Sequence, residues 1–171
     1  MTQSVTGNAD YPLVASVTTA LAYRTHFSKR ICEYLAKVAG MSEETHSLAL
    51  TALSEAVLNG VIHGNLELEA LVADDDQGGA LEAFQEHYRA VHQRLEDQTY
   101  ADRRIEFSAR WDNDEIEISV GDQGPGYHGH ISTGDNIARG PSGRGLQIIE
   151  KVARTVEVSE GGRKITMTFS R

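Results

Sequence analysis

SEAVLNGVIHG, residues 54–64, is apolar on almost every side, yet Glu55, Asn59 and His63 recur at i, i+4 and i+8 along one stripe. Leu50, Leu53, Val57 and Val61 occupy the opposite side and suit a core. A carboxylate and an amide are costly to bury without partners, so something polar is expected to face them. The carboxylate can polarise a water or accept a hydroxyl proton, and the amide oxygen is a hard ligand suited to Mg²⁺. The plainer reading of the same spacing is a solvent-facing stripe on an amphipathic helix.

Upstream, Ser42 is placed to cap this helix, with Thr45 where a full capping box has Glu or Gln. Gly40 ends an earlier helix, Leu21 to Val38, whose apolar positions are Phe27, Ile31, Tyr34, Leu35 and Val38. Before it, PLVASVT (12–18) reads as a strand. Downstream, residues 74–79 read as a loop, and Ala80 to Gln98 as a helix striped by Leu81, Phe84, Tyr88, Val91 and Leu95. The period then changes to two. Ile105, Phe107, Ala109 and Trp111, then Ile116, Ile118 and Val120, alternate with polar residues around an Asp112–Asp114 turn. A short helix from Leu146 to Ala153 and a hairpin over 156–169 follow. The expected class is α+β: a sheet with helices on one face.

A chain of 171 residues that is 40% hydrophobic and 24% charged suits one soluble domain, expected over 11–171, with residues 1–10 disordered. No signal-peptide pattern or membrane-length apolar run is found, and the lone Cys32 lies among apolar neighbours, so a reducing cytoplasm is expected. The net charge is −9, and between Glu67 and Asp102 ten acidic residues face only Arg89 and Arg94. Without a basic face, direct nucleic-acid binding is not expected; the acidic run itself reads as a solvated helix face.

From Gly121 to Gly145 regular patterning stops, and eight of the sixteen glycines fall in that stretch. Gly121-Asp-Gln-Gly-Pro-Gly126 follows a strand end, which sets the Asp122 carboxylate at the mouth of a close-approaching turn, able to accept from an exocyclic amine. An ordinary Asp-Gly turn is the alternative. Gly140-Pro-Ser-Gly-Arg-Gly-Leu146 runs into a helix start, a ready anion site with Arg139 or Arg144 nearby; a plain glycine-rich loop is the alternative. Neither a Walker A loop nor a dinucleotide fingerprint is present. His128 and His130 have no supporting ligand cluster, and Ser54 and Ser142 lack a hydrolase elbow.

Taken in order, Glu55-xxx-Asn59-xxx-His63-Gly64 resembles the N box of the GHKL ATPase/kinase superfamily, Asp122-x-Gly124-x-Gly126 its first glycine box, and Gly143-Arg144-Gly145 its second. SEAVLNGVIHGN and SGRGLQIIEKVARTVEV are similar to anti-sigma-factor serine kinases and related partner-switching regulators. The resemblance covers Pro12 to Phe169 apart from 67–104, which reads as an acidic helical insertion. It implies a two-layer Bergerat-type sandwich with a mixed, mostly antiparallel sheet, a flexible ATP lid, and ATP with Mg²⁺ as cofactors. It implies Glu55 as general base, Asn59 as Mg²⁺ ligand, and Asp122 with Thr166 at the adenine. It places His63, Gly124 and Gly126 around the nucleotide, and Gly143, Arg144, Gly145 and Leu146 about the phosphates. The implied partners are a sigma factor or similar regulator and a small antagonist, and a homodimer is allowed. Pro141 stands where these kinases often have an arginine, so Arg139 or Arg144 would replace it. A nucleotide-gated binding module is the second reading. A histidine-kinase fragment is the third, with only His26 and His46 upstream as acceptors.

Overall fold

The computed structural model describes residues 4–8, 11–69, 79–126 and 144–171, with residues 4–8, 11 and 12 described through their backbone. Six strands form one sheet: β1 (Ser4–Asn8), β2 (Tyr11–Thr18), β3 (Arg104–Trp111), β4 (Glu115–Gly121), β5 (Thr155–Ser159) and β6 (Lys164–Ser170), in the order β1-β2-β3-β4-β6-β5. Within the stretch 1–10 that was expected to be disordered, residues 4–8 form β1, which pairs with the edge of β2. All five pairings are antiparallel, so among the described residues the sheet is not mixed. The chain leaves β4, crosses the helical layer and returns at the far edge, so β6 comes back beside β4 running the other way.

Alternation decides which face is covered. Leu13, Ala15 and Val17, then Ile105, Phe107 and Ala109, then Ile116, Ile118 and Val120, then Met167 and Phe169 are all buried in one core with the helices. The other face is polar: Ser119 and Thr166 share a hydrogen bond of 2.9 Å, Thr155 and Thr168 one of 2.7 Å, and Arg110 meets Glu117 at 2.6 Å.

The helix expected over 21–38 is two helices, α1 (Thr19–Arg24) and α2 (Phe27–Ala39). Thr25 Oγ1 donates to the Leu21 carbonyl and His26 turns left-handed at φ 50°, which redirects the axis. Phe27, Ile31, Cys32 and Leu35 point inward, whereas Tyr34 and Val38 are exposed. Burial, with the neighbouring Glu33 charge, pushes the Cys32 thiol up to about 11, leaving it unreactive. Gly40 takes the left-handed cap at φ 67°. Ser42 accepts from the Thr45 N–H at 3.1 Å and starts α3 (Glu43–Asn59), while Thr45 Oγ1 donates to the Ser170 carbonyl and pins α3 to the end of β6.

After α3 the acidic segment carries α4 (Ala80–Glu96) and α5 (Gln98–Ala101), and α6 (Arg144–Val152) lies along α3. Only Val91 and Leu95 of the α4 stripe are buried; Leu81, Phe84 and Tyr88 stand in solvent. Among the described residues no helix is long and apolar enough to cross a membrane.

Candidate functional site

The α3 helix does not stop at Asn59. Gly60–Asn65 continues it as a π-helical turn, in which the Leu66 N–H reaches back five residues to the Val61 carbonyl at 2.9 Å. The turn buries Val61, Ile62 and Asn65 and leaves His63 exposed. His63 Nδ1 donates to the Leu68 carbonyl at 2.7 Å, since a carbonyl can only accept.

Asn65 is fully buried and ties four segments together. Its Nδ2 donates to Thr19 Oγ1 at 2.8 Å and to the Arg104 carbonyl at 3.0 Å. Its Oδ1 accepts the Gln123 N–H at 2.7 Å, and Gln123 Oε1 in turn accepts the Arg104 N–H at 2.8 Å. Its carbonyl accepts from Arg103, whose guanidinium also meets Glu67 at 2.7 Å. This clasp fixes the turn after β4 against the end of the π-helical turn.

Asp122 stands in that turn. Its N–H donates to the Arg163 carbonyl at 2.9 Å, and its Oδ1 accepts the Gly124 N–H at 2.8 Å. Burial pushes its carboxyl above the ordinary carboxylate value, although the Gly124 N–H and the charges of Arg163 and Arg103 pull the other way. The packing here excludes side chains. A Cβ on Gly64 would lie 2.5 Å from Asp122 Oδ1, and one on Gly124 would overlap the Gly64 carbonyl. Gly126, at φ 90°, lies against the Gly161 carbonyl.

A cavity of about 410 Å³ opens above these residues. Ala56, Val120, Val158 and Ile165 give it apolar walls, Asp122 and Glu69 bring carboxylates to its lining, and Arg163 and Lys164 bring cations. Such a slot fits a flat heteroaromatic ring carrying an amine donor. Asn59, His63 and Leu146 line it as well. There the start of α6 meets α3: a Cβ on Gly145 would lie 2.8 Å from Asn59 Nδ2 and 3.1 Å from Glu55 Oε2. An amide and a carboxylate therefore face the backbone of the first turn described for α6, where the helix dipole favours an anion.

The structure thus brings Asn59, His63, Asp122, Gly126 and Leu146 to one cleft, with Glu55 and Gly145 beside Asn59, Gly124 packed on Gly64, and Arg144 exposed on α6. Gly143, Pro141, Arg139, His128 and His130 lie outside the described residues. Thr166 is elsewhere. Strand alternation turns Ile165 toward the cavity and Thr166 to the opposite face, where it bonds Ser119. The clasp residues Asn65, Gln123 and Arg103 were not legible as site residues. Their only sequence signal is a polar residue at the end of an apolar helix.

No curated protein matches the chain. The family model described as histidine kinase-like ATPase domain matches residues 18–169, a span running from the end of β2 into β6 and taking in both ends of the cavity, and the chain belongs to that family, within the GHKL superfamily.

Proposed function

We propose that the chain is a protein-serine kinase of a partner-switching system, which phosphorylates a small antagonist protein and, when free of it, holds a sigma factor or similar regulator. The carrying observation is the meeting of Glu55 and Asn59 with the Gly145 backbone at the start of α6. That end of the cleft suits phosphates, and the Asp122 end suits the adenine amine, so the residues present fit ATP. Bound Mg²⁺ would neutralise phosphate charge; a single amide oxygen from Asn59 suits an ion that keeps waters and phosphate oxygens for the rest of its shell. On this reading Glu55 accepts the proton of an incoming serine hydroxyl. Catalysis on this reading is positioning and charge neutralisation.

Incubation with the candidate antagonist and γ-labelled ATP tests it. Phosphoserine is expected on the antagonist, with Glu55→Ala abolishing the label while nucleotide affinity is kept. Equal labelling by both proteins, or none by either, overturns it.

Pro141 favours a second reading, in which nucleotide only gates a protein interface. Tight Mg²⁺-dependent binding without turnover on any partner would select it.

A further inference from the structure

Asp122 does not face the cavity alone. It lies one step past the last rung between β4 and β6, Gly121 opposite Lys164, and its N–H donates to the Arg163 carbonyl at 2.9 Å. That sets it across from Arg163. Positions opposed on antiparallel strands carry their side chains on one face, with Cβ atoms about 5 Å apart. Alternation gives the same face: Val120 and Ile165, two residues from each, line the cavity, as Asp122 and Arg163 themselves do.

The turn that carries Arg163 holds it in place. Glu160, Gly161 and Gly162 are left-handed in succession, at φ 53°, 69° and 87°. Arg163 Nε donates to the Glu160 carbonyl at 3.1 Å. The stem is packed too, since a Cβ on Gly126 would lie 3.4 Å from Arg163 Cγ. Among the described residues the two Nη groups have no hydrogen-bond or ion-pair partner. The other charged and titratable groups around Asp122 are engaged elsewhere or carry the wrong sign. Arg103 is bonded to the Asn65 carbonyl and to Glu67, and Lys164 meets Glu160 at 3.6 Å. His63 donates to the Leu68 carbonyl, and Glu69 adds a second carboxylate to the lining.

We propose that Arg163 is a positioning residue of the adenine end: its guanidinium holds the Asp122 carboxylate in the charged, accepting form, so that nucleotide affinity depends on Arg163 through Asp122. The inference rests on reading the cleft as an ATP site. Burial favours the neutral acid at Asp122; the Gly124 N–H and then the Arg163 charge oppose it, ahead of Arg103. A carboxylate is a stronger acceptor for an exocyclic amine than a neutral carboxyl is. Without Arg163 the folded value rises further, and the charged form is lost at higher pH on acidification.

The Asp122 carboxyl is followed by carbon NMR in the aspartate-labelled full chain, assigned by its absence in Asp122→Asn, and ATP affinity is measured over the same pH range. Arg163→Gln, at an exposed site, is expected to raise the Asp122 midpoint and to lower ATP affinity about threefold on the acid side of neutrality. Arg163→Lys restores both. Arg154→Gln, which removes an equal charge beside Glu115 at the far end of β4, moves neither. In the Asp122→Asn background Arg163→Gln leaves affinity unchanged. An Asp122 midpoint that stays in place in Arg163→Gln overturns the proposal, and so does one that moves while the nucleotide profile does not. A loss of affinity that persists in the Asp122→Asn background also overturns it, since the guanidinium would then touch the nucleotide directly. Failure of the wild type to bind ATP at any pH sinks the ATP reading instead, and the Asp122 midpoint in Arg163→Gln then decides the pairing alone.

Discussion

The two ends of β4 each adjoin an aspartate, and the two act on the fold in opposite directions. Asp112, in the β3–β4 turn, accepts the N–H groups of Asp114 and Glu115, both at 2.9 Å, and these bonds hold its carboxyl below the ordinary 3.8. Asp122, at the other end, is pushed above 3.8 by burial, although it too accepts a backbone N–H. Ionised Asp112 therefore stabilises the fold and ionised Asp122 opposes it. A fold that retains an opposed charge inside a cavity marks where a ligand is expected to use it.

The sharpest way to break the comparison is at the packing that keeps Asp122 in place. Gly124→Ala drives a Cβ into the Gly64 backbone, which cannot yield as a side-chain tip can. A loss of about 3 kcal/mol is expected, read as a Tm lower by roughly 6–12 °C in calorimetry. Asn65→Ala strips the clasp and leaves the Gln123 N–H and Arg104 carbonyl without their partner. It is expected to cost about 2 kcal/mol, with nucleotide affinity lowered as well. Asp122→Asn separates stability from binding. ATP affinity in titration calorimetry is expected to fall about ten- to hundredfold, while the Tm of the free protein at neutral pH stays level or rises. A clear drop in Tm would remove the argument from burial.

Gly145→Ala, whose Cβ meets only the side-chain ends of Asn59 and Glu55, is expected to leave Tm within a few degrees and to lower labelling of the antagonist. The smallest effect belongs to Asp112→Ala: a slightly lower Tm and unchanged nucleotide affinity. The pH dependence carries the sign. Asp112 stabilises above pH 3.8, and this is lost as pH falls through its lowered folded value. The Asp122 penalty is complete above its raised folded value and disappears as pH falls from there to 3.8. The Tm advantage of Asp122→Asn should therefore vanish on acidification before the deficit of Asp112→Ala does.

What the sequence disclosed follows from range. Periods of 3.6 and 2 are local, so α3, α6 and the two hairpins could be read, and Glu55 and Asn59 stand one turn apart on the same helix. Asn65 could not be read, because its side-chain partners lie 39, 46 and 58 residues away. Thr166 was assigned to the adenine by resemblance, although alternation with the buried Met167 already turned it outward. The exposure of Leu81, Phe84 and Tyr88 on α4 could not be read either, because periodicity reports an apolar face and not what covers it. The break between α1 and α2 rests on one left-handed histidine, which no period announces.

Arg103 and Asn65 have one more consequence. The chain departs at Asn65 and is back at Arg103, where the two residues are bonded to each other at 2.8 Å. The whole acidic excursion thus begins and ends at one stitched point, like a cassette in a socket. Lengthening or exchanging what lies between changes the closure entropy only slowly, since doubling such a loop costs roughly 0.6 kcal/mol. The exposed face of α4 can accordingly change while Val91 and Leu95 keep their place in the core and Glu69, near the start of the excursion, stays at the cavity.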